Sequence, residues 1–216
     1  MSKASGRTVE YSRKTRETEI SLELGFEVEA KISIDTGVPF FDHVLQAMAF
    51  HGHFGFNLKA RGDIEVDEHH LIEDTGIVFG EALNRVLGEY GPVQRYGQAT
   101  IPMDEALSEV VIDVCGRSFL VFTGTFPQER IGSFQAILLH EFLSGLANRG
   151  RMAVHAHLRY GSNSHHMAES LFKALGVAIS GAYTLAEPGT FRGDAGRRDA
   201  GLTDPSVGMS TKGTLD

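Results

Sequence analysis

The 216-residue chain holds one cysteine, no tryptophan and only six prolines. A lone thiol, Cys115, closes no intramolecular disulfide and builds no cysteine-based zinc site. Positive charge is scarce: 20 Lys and Arg stand against 28 Asp and Glu, a net charge of −8 with histidine neutral. That balance argues against a nucleic-acid binder relying on a basic face. No window approaches the roughly 18 to 20 apolar residues of a membrane span. The polar stretch from Met1 to Glu19 lacks the apolar run of a signal peptide. The expectation is a cytoplasmic protein with no membrane or nucleic-acid partner. What the chain does have is an apolar fraction of 42 %, enough for a packed core, and ten histidines, four of them in two His-His pairs.

Hydrophobic periodicity divides the chain. Residues 1–15 read as a flexible arm, and residues 16–34 alternate as a β-hairpin, with Ile20, Leu22 and Leu24 opposite Ser21 and Glu23. Residues 40–51 carry Phe41, Val44, Leu45 and Met48 at helical spacing, 54–66 alternate again, and 70–88 form a helix ending near Gly88. In the second half, 97–125 read as two strands, 134–148 as a helix, 152–160 as a strand and 165–183 as a helix. Residues 187–216 are rich in Gly, Asp, Arg and Ser and read as a flexible tail.

The halves repeat. Phe41-Asp42-His43-Val44-Leu45 matches Leu139-His140-Glu141-Phe142-Leu143, 98 residues on. Asp67-Glu68-His69-His70-Leu71-Ile72-Glu73-Asp74 matches Asn163-Ser164-His165-His166-Met167-Ala168-Glu169-Ser170, 96 residues on. Each half, 16–96 and 97–186, therefore reads strand, strand, helix, strand, helix. Two tandem βαβ-type repeats packed face to face give an α/β (α+β) sandwich.

In each copy a His-His pair opens a helix, with Glu73 or Glu169 three and four residues later, on one helical face. Adjacent histidines diverge by about 100° around a helix. One of each pair can join the glutamate while its neighbour faces another centre. Imidazole with carboxylate suits Mn²⁺, Fe²⁺ or Zn²⁺. The competing reading, surface histidines capping a helix, fits one copy better than two in corresponding positions. His43 aligns with Glu141 in the repeat, and both are candidate ligands, with His140 the alternative to Glu141. His51 is a candidate substrate contact or a turn residue, as is His53. His155 and His157 share one side of a strand and read as structural. Arg95, Arg117, Lys173 and Lys212 are candidate anion-binding residues, and Met209-Ser210-Thr211-Lys212-Gly213 offers hydroxyls and a lysine suited to phosphate.

These blocks resemble the imidazoleglycerol-phosphate dehydratase family of histidine biosynthesis. The residues that carry the resemblance are Asp35-Thr36-Gly37-Val38-Pro39-Phe40-Phe41-Asp42-His43, both His-His blocks, Pro102-Met103-Asp104-Glu105-Ala106-Leu107, Gly116-Arg117 and Ser210-Thr211-Lys212-Gly213. The resemblance implies a ribosomal protein S5 domain 2-like fold. It also implies a hydro-lyase converting D-erythro-imidazole glycerol phosphate to imidazole acetol phosphate. Two Mn²⁺ ions per active site are implied, in a homo-oligomer, typically a 24-mer, with sites at subunit interfaces. The implied metal ligands are His43, His69, His70, Glu73, Glu141, His165, His166 and Glu169. Arg95, Arg117, Lys173, Ser210 and Lys212 would hold the phosphate. Glu17 and Glu169 would handle protons, and Asp104 would orient one of the reacting groups. The implied chemistry has one metal favouring an imidazolate that expels hydroxide to a diazafulvene-like species, and a second holding the departing oxygen. A carboxylate takes the carbon proton. The family pattern differs at His140-Glu141, where many members have Glu-His, and at Gln46-Ala47, where Asp-Gln is common.

Two other functions are compatible with the residues. A di-metal phosphate-ester hydrolase would release inorganic phosphate. A metal-storage assembly would take up metal without response to substrate analogues.

Overall fold

A computed structural model describes residues 6–27 and 31–187. Ser210, Lys212 and the expected flexible tail from residue 188 onward lie outside the described residues. The first half contains β1 (Arg7–Lys14), β2 (Thr18–Phe26), β3 (Ile32–Asp35), α1 (Pro39–Gly52), β4 (Gly55–Gly62) and α2 (His69–Tyr90). The second half contains β5 (Tyr96–Met103), β6 (Ala106–Asp113), β7 (Phe119–Thr123), the short β8 (Arg130–Ile131) and β9 (Phe134–Gln135), α3 (Leu138–Arg149), β10 (Ala153–Tyr160) and α4 (Ser164–Tyr183). Sheet order is β1-β2-β4-β3 in one half and β5-β6-β10-β7 in the other, the same topology twice.

The structure corrects four expectations. Residues 7–14, expected in the flexible arm, form β1, which runs antiparallel to β2 from Arg7↔Phe26 to Lys14↔Glu19. An edge strand buries little, and here Val9 is the main apolar residue facing the core, so hydropathy barely marks it. The expected hairpin over 16–34 is not one, because β4 lies between β2 and β3. β3 runs parallel to β4, which requires a crossover, and α1 supplies it. Residues 97–125 hold three strands rather than two, and the helix expected from residue 134 starts at Leu138, because Phe134 and Gln135 pair with β8. The recurring unit is therefore hairpin, strand, helix, strand, helix.

Each sheet turns one face to water and the other to its helices. Along β2, Ile20, Leu22 and Leu24 are buried while Glu19, Ser21 and Glu23 are exposed. Helices α2 and α4 lie on the two sheets, and the halves meet helix to helix, α2 on α3 and α1 on α4. Phe142 of α3 is central to this seam. Its ring lies 5.5 Å from Phe41 of α1, 6.5 Å from Phe79 of α2 and 5.4 Å from Phe172 of α4.

Glycines let the helix backbones touch. A Cβ on Gly76 would lie 2.2 Å from the Phe142 carbonyl oxygen, and one on Gly145 would lie 2.7 Å from the Glu73 carbonyl oxygen. Gly80 against the Leu146 carbonyl, at 2.6 Å, and Gly176 against the Met48 carbonyl, at 2.0 Å, are repeat-related. The repeat thus extends to matched backbone contacts on either side of the seam. Replacing Gly176 with alanine forces two helix backbones apart and is expected to cost about 1–3 kcal/mol in urea unfolding. Gly88→Ala, in the same kind of helix but with open space around it, should be neutral or stabilising by up to about 1 kcal/mol.

Candidate active site

The His-His pairs open α2 and α4 because an Asx residue stands just ahead of each. The Asp67 carboxylate accepts from the His69 backbone N–H at 2.8 Å, and the Asn163 side chain accepts from that of His165 at 2.9 Å. With the first turn set, adjacent histidines point apart. The rings of His69 and His70 make an angle of 89°, and those of His165 and His166 one of 87°. Only the first of each pair turns towards its own helix's glutamate, four residues on. His165 Nε2 lies 3.3 Å from Glu169 Oε2, and His69 Nε2 lies 3.6 Å from Glu73 Oε2.

The packing of α1 on α4 completes one centre. His43 Nε2 stands 3.1 Å from Glu169 Oε2, so His43, His165 and Glu169 offer ligand atoms within 4.8 Å of one another. Two imidazoles and a carboxylate, drawn from both halves, form a donor set that fits a divalent ion of the Mn²⁺, Fe²⁺ or Zn²⁺ type. Phe40 packs its ring 5.2 Å from His165 and helps wall the centre. It also lines a cavity of about 450 Å³ with His165, Phe134, Ile64 and Glu68.

The corresponding positions around Glu73 are less closed. Glu141, the repeat counterpart of His43, lies beside Phe142 at the α2–α3 contact, where its Oε1 is 3.1 Å from His140 Nδ1. Among the described residues the three-ligand cluster is the one at His43, and the structure does not gather Glu141 with His69 and Glu73 in the same way. His70 and His166 face away from these glutamates. His70 Nδ1 lies 3.2 Å from both oxygens of Asp63 and 4.0 Å from Glu17. His166 Nδ1 lies 2.7 Å from Glu105, and its Nε2 is 3.8 Å from Asp104. Asp63 and Glu105 were not among the residues picked from sequence. The signal for Glu105 was its place beside Asp104 in a family motif. For Asp63 no local pattern existed, since it follows β4 in the turn before α2.

The Glu17 turn is held against α2 by a buried tie. The Asp74 carboxylate accepts from Thr18 Oγ1 and from Arg13, each at 2.5 Å. The matching position in the second half is Ser170, whose hydroxyl meets that of Ser108 at 2.7 Å. Lys173 Nζ donates to Glu169 Oε1 at 2.8 Å, and His51, at the end of α1, feels the charges of both. Burial depresses the pKa of His51, and Lys173 adds to that depression.

Arg95 and Arg117 are not brought to the histidine pairs. Arg95 precedes β5 and is held by Asp113, with Nε donating at 2.6 Å. Arg117 follows β6 at the same end of the sheet. The Asp104 turn near His166 is at the other end, about 25 Å away for eight residues at roughly 3.3 Å each.

With the geometry in place, comparison with known proteins decides the family. The profile described as imidazoleglycerol-phosphate dehydratase matches residues 36–179. The chain belongs to the imidazoleglycerol-phosphate dehydratase family. Similar proteins of that description include one from Limosilactobacillus fermentum, 48 % identical over 83 % of this chain and 92 % of that one. Another, from Bacillus licheniformis, is 46 % identical over 97 % and 100 %. The crystal structure of the Staphylococcus aureus dehydratase aligns with a TM-score of 0.74 at 34 % identity, covering 82 % of this chain and 99 % of that one. The enzyme is a hydro-lyase, and its α/β fold is that of the family. No helix among the described residues is long and apolar enough to cross a membrane.

Burial opposes ionisation of Glu169, but hydrogen bonds from Lys173 and His43 outweigh it and hold the carboxyl at about 2. A group whose folded pKa lies below its unfolded value of 4.5 stabilises the fold above that value, and the contribution is lost as pH falls through about 2. Metal-free enzyme is therefore expected to lose stability between pH 4.5 and 2, and Glu169→Gln to flatten that slope, read from urea midpoints against pH.

Proposed function

We propose that the enzyme dehydrates D-erythro-imidazole glycerol phosphate to imidazole acetol phosphate in histidine biosynthesis, in the cytoplasm, using two Mn²⁺ ions per active site. The observation that carries this reading is the convergence of His43, His165 and Glu169 across the seam in a member of this family. His69, His70, Glu73, Glu141 and His166 supply the remaining donors. When bound, the metals would supply Lewis acidity towards the imidazole nitrogen and the departing oxygen.

The protein's own residues do the rest. Loss of hydroxide from an electron-rich imidazole leads through a diazafulvene-like species, and a base must take the carbon proton. Glu17, half-exposed and 4.0 Å from His70, is the base best placed to reach a substrate held there. In the metal-free chain Lys173 and His43 hold Glu169 ionised, as a carboxylate ligand must be. It serves as ligand and as the second proton-handling group. Asp104, on the Nε2 side of His166, orients a reacting group. His51, at the end of α1, and Lys173, midway along α4, meet the substrate.

The remote position of Arg95 and Arg117 supports a homo-oligomeric site. If they hold the phosphate, with Ser210 and Lys212, they reach it from another copy of the chain. A large symmetric assembly such as a 24-mer meets that need, and the phosphate then contributes binding energy away from the reacting bonds.

EDTA treatment is expected to abolish formation of the ketone and Mn²⁺ to restore it. Metal-replete enzyme with no turnover, or one that releases inorganic phosphate, would overturn the reading. Glu169→Gln should remove turnover more completely than substrate binding, checked by kcat beside calorimetric Kd. Arg117→Ala mixed with Glu17→Gln protein should regain partial activity if one site draws on two chains, since some mixed interfaces then carry neither change.

A further inference from the structure

The outward-facing histidines, His70 and His166, each have a carboxylate at Nδ1. An ionised carboxylate only accepts hydrogen bonds, so it holds the ring proton on Nδ1 and leaves the Nε2 lone pair for a ligand. For His166 the partner is Glu105, at 2.7 Å. For His70 it is Asp63, at 3.2 Å to both oxygens.

These two carboxylates are not repeat-equivalent. Glu105 sits in the β5–β6 turn, and its counterpart in the β1–β2 turn, 88 positions earlier, is Glu17. Glu17 stands further off, at 4.0 Å from His70 Nδ1. The position 98 residues beyond Asp63 is Gly161, which has no side chain to offer. Glu105 is also tied down. Its Oε1 accepts from the backbone N–H groups of Ser162 and Asn163, at 3.1 and 2.9 Å, and from the Ser162 hydroxyl at 3.3 Å. One carboxylate thus pins the loop that opens α4 and the histidine in its first turn. In the first half Asp63 does the histidine's share of that work.

We propose that Asp63 and Glu105 are positioning residues, fixing His70 and His166 with Nε2 presented to metal, and that Asp63 thereby releases Glu17, the counterpart of Glu105, to act on substrate. This rests on the metal-dependent dehydratase reading. It accounts for a chain built from two like halves having a proton-handling glutamate in only one of its two equivalent hairpin turns.

The test is Mn²⁺ binding by full-length, demetallated enzyme, read from the electron paramagnetic resonance of free Mn²⁺ at pH 8. In Glu105→Gln the amide oxygen can still accept from Ser162 and Asn163. Its NH₂ donates to Nδ1 and shifts the ring proton to Nε2. One of the two Mn²⁺ sites should weaken by about tenfold to a hundredfold, while the metal-free protein stays folded with a modestly lower melting temperature, since the ionised Glu105 itself supports the fold. Asp63→Asn, which leaves the Glu105 clamp untouched, should weaken the other site to a similar degree and carries the test independently. Glu17→Gln should bind both ions as the wild type does, yet lose turnover. Wild-type affinity in both Asp63→Asn and Glu105→Gln would overturn the proposal, as would Glu17→Gln weakening Mn²⁺ as much as Asp63→Asn. Wild-type enzyme that binds no Mn²⁺ would instead overturn the dehydratase reading, before any variant is compared.

Discussion

Backbone-to-backbone contact between the two halves is the constraint on which the rest depends. Gly76, Gly80, Gly145 and Gly176 remove the side chains that would hold α2 from α3 and α1 from α4. The Glu73 carbonyl is itself part of that contact, facing Gly145. With the helices that close, a histidine on α1 reaches a glutamate on α4 through one hydrogen-bond distance. A seam wider by a methyl group would separate His43 from Glu169 without touching either residue. The ring cluster around Phe142 supplies the apolar burial that draws the helices together, and the glycines set how far they can come.

The symmetric scaffold carries side chains that are not symmetric. Topology, the Gly80 and Gly176 contacts, helix starts and histidine geometry recur, whereas Gly76 and Gly145 have Phe172 and Ala47 as counterparts. The carboxylates behind the outward histidines do not. Buried ties follow the same pattern: Asp74 with Arg13 and Thr18 on one side, a serine pair on the other. Duplicated backbone geometry provides equivalent positions, and a few side-chain differences give them different partners.

Much of the site was legible because its spacing is local. His-His-x-x-Glu on a helix dictates that one histidine meets the glutamate and the other does not, and the structure chooses the i, i+4 partner in both copies. The helices themselves followed from 3.6-residue periodicity. Strands were harder. β1 is a polar edge with one side half-wet, and β3 is four residues long, too short for alternation to mark its partner. Because hydropathy barely marks β1, the equivalence of the Glu17 and Glu105 turns is visible only in the structure.

The sequence by itself determined the repeat, the helical faces, the candidate ligand types and the family, because each of these is written in residue types at short, regular separations. Tertiary structure alone decided which distant groups meet. His43 and Glu169 are 126 residues apart and touch only because two helices pack without intervening side chains. Asp63 reaches His70 because β4 ends beside the start of α2, and Arg95 and Arg117 are placed at the far end of their sheet by strand length. Periodicity reports which face of an element is buried, whereas the partner across that face is chosen by packing, which no local pattern encodes.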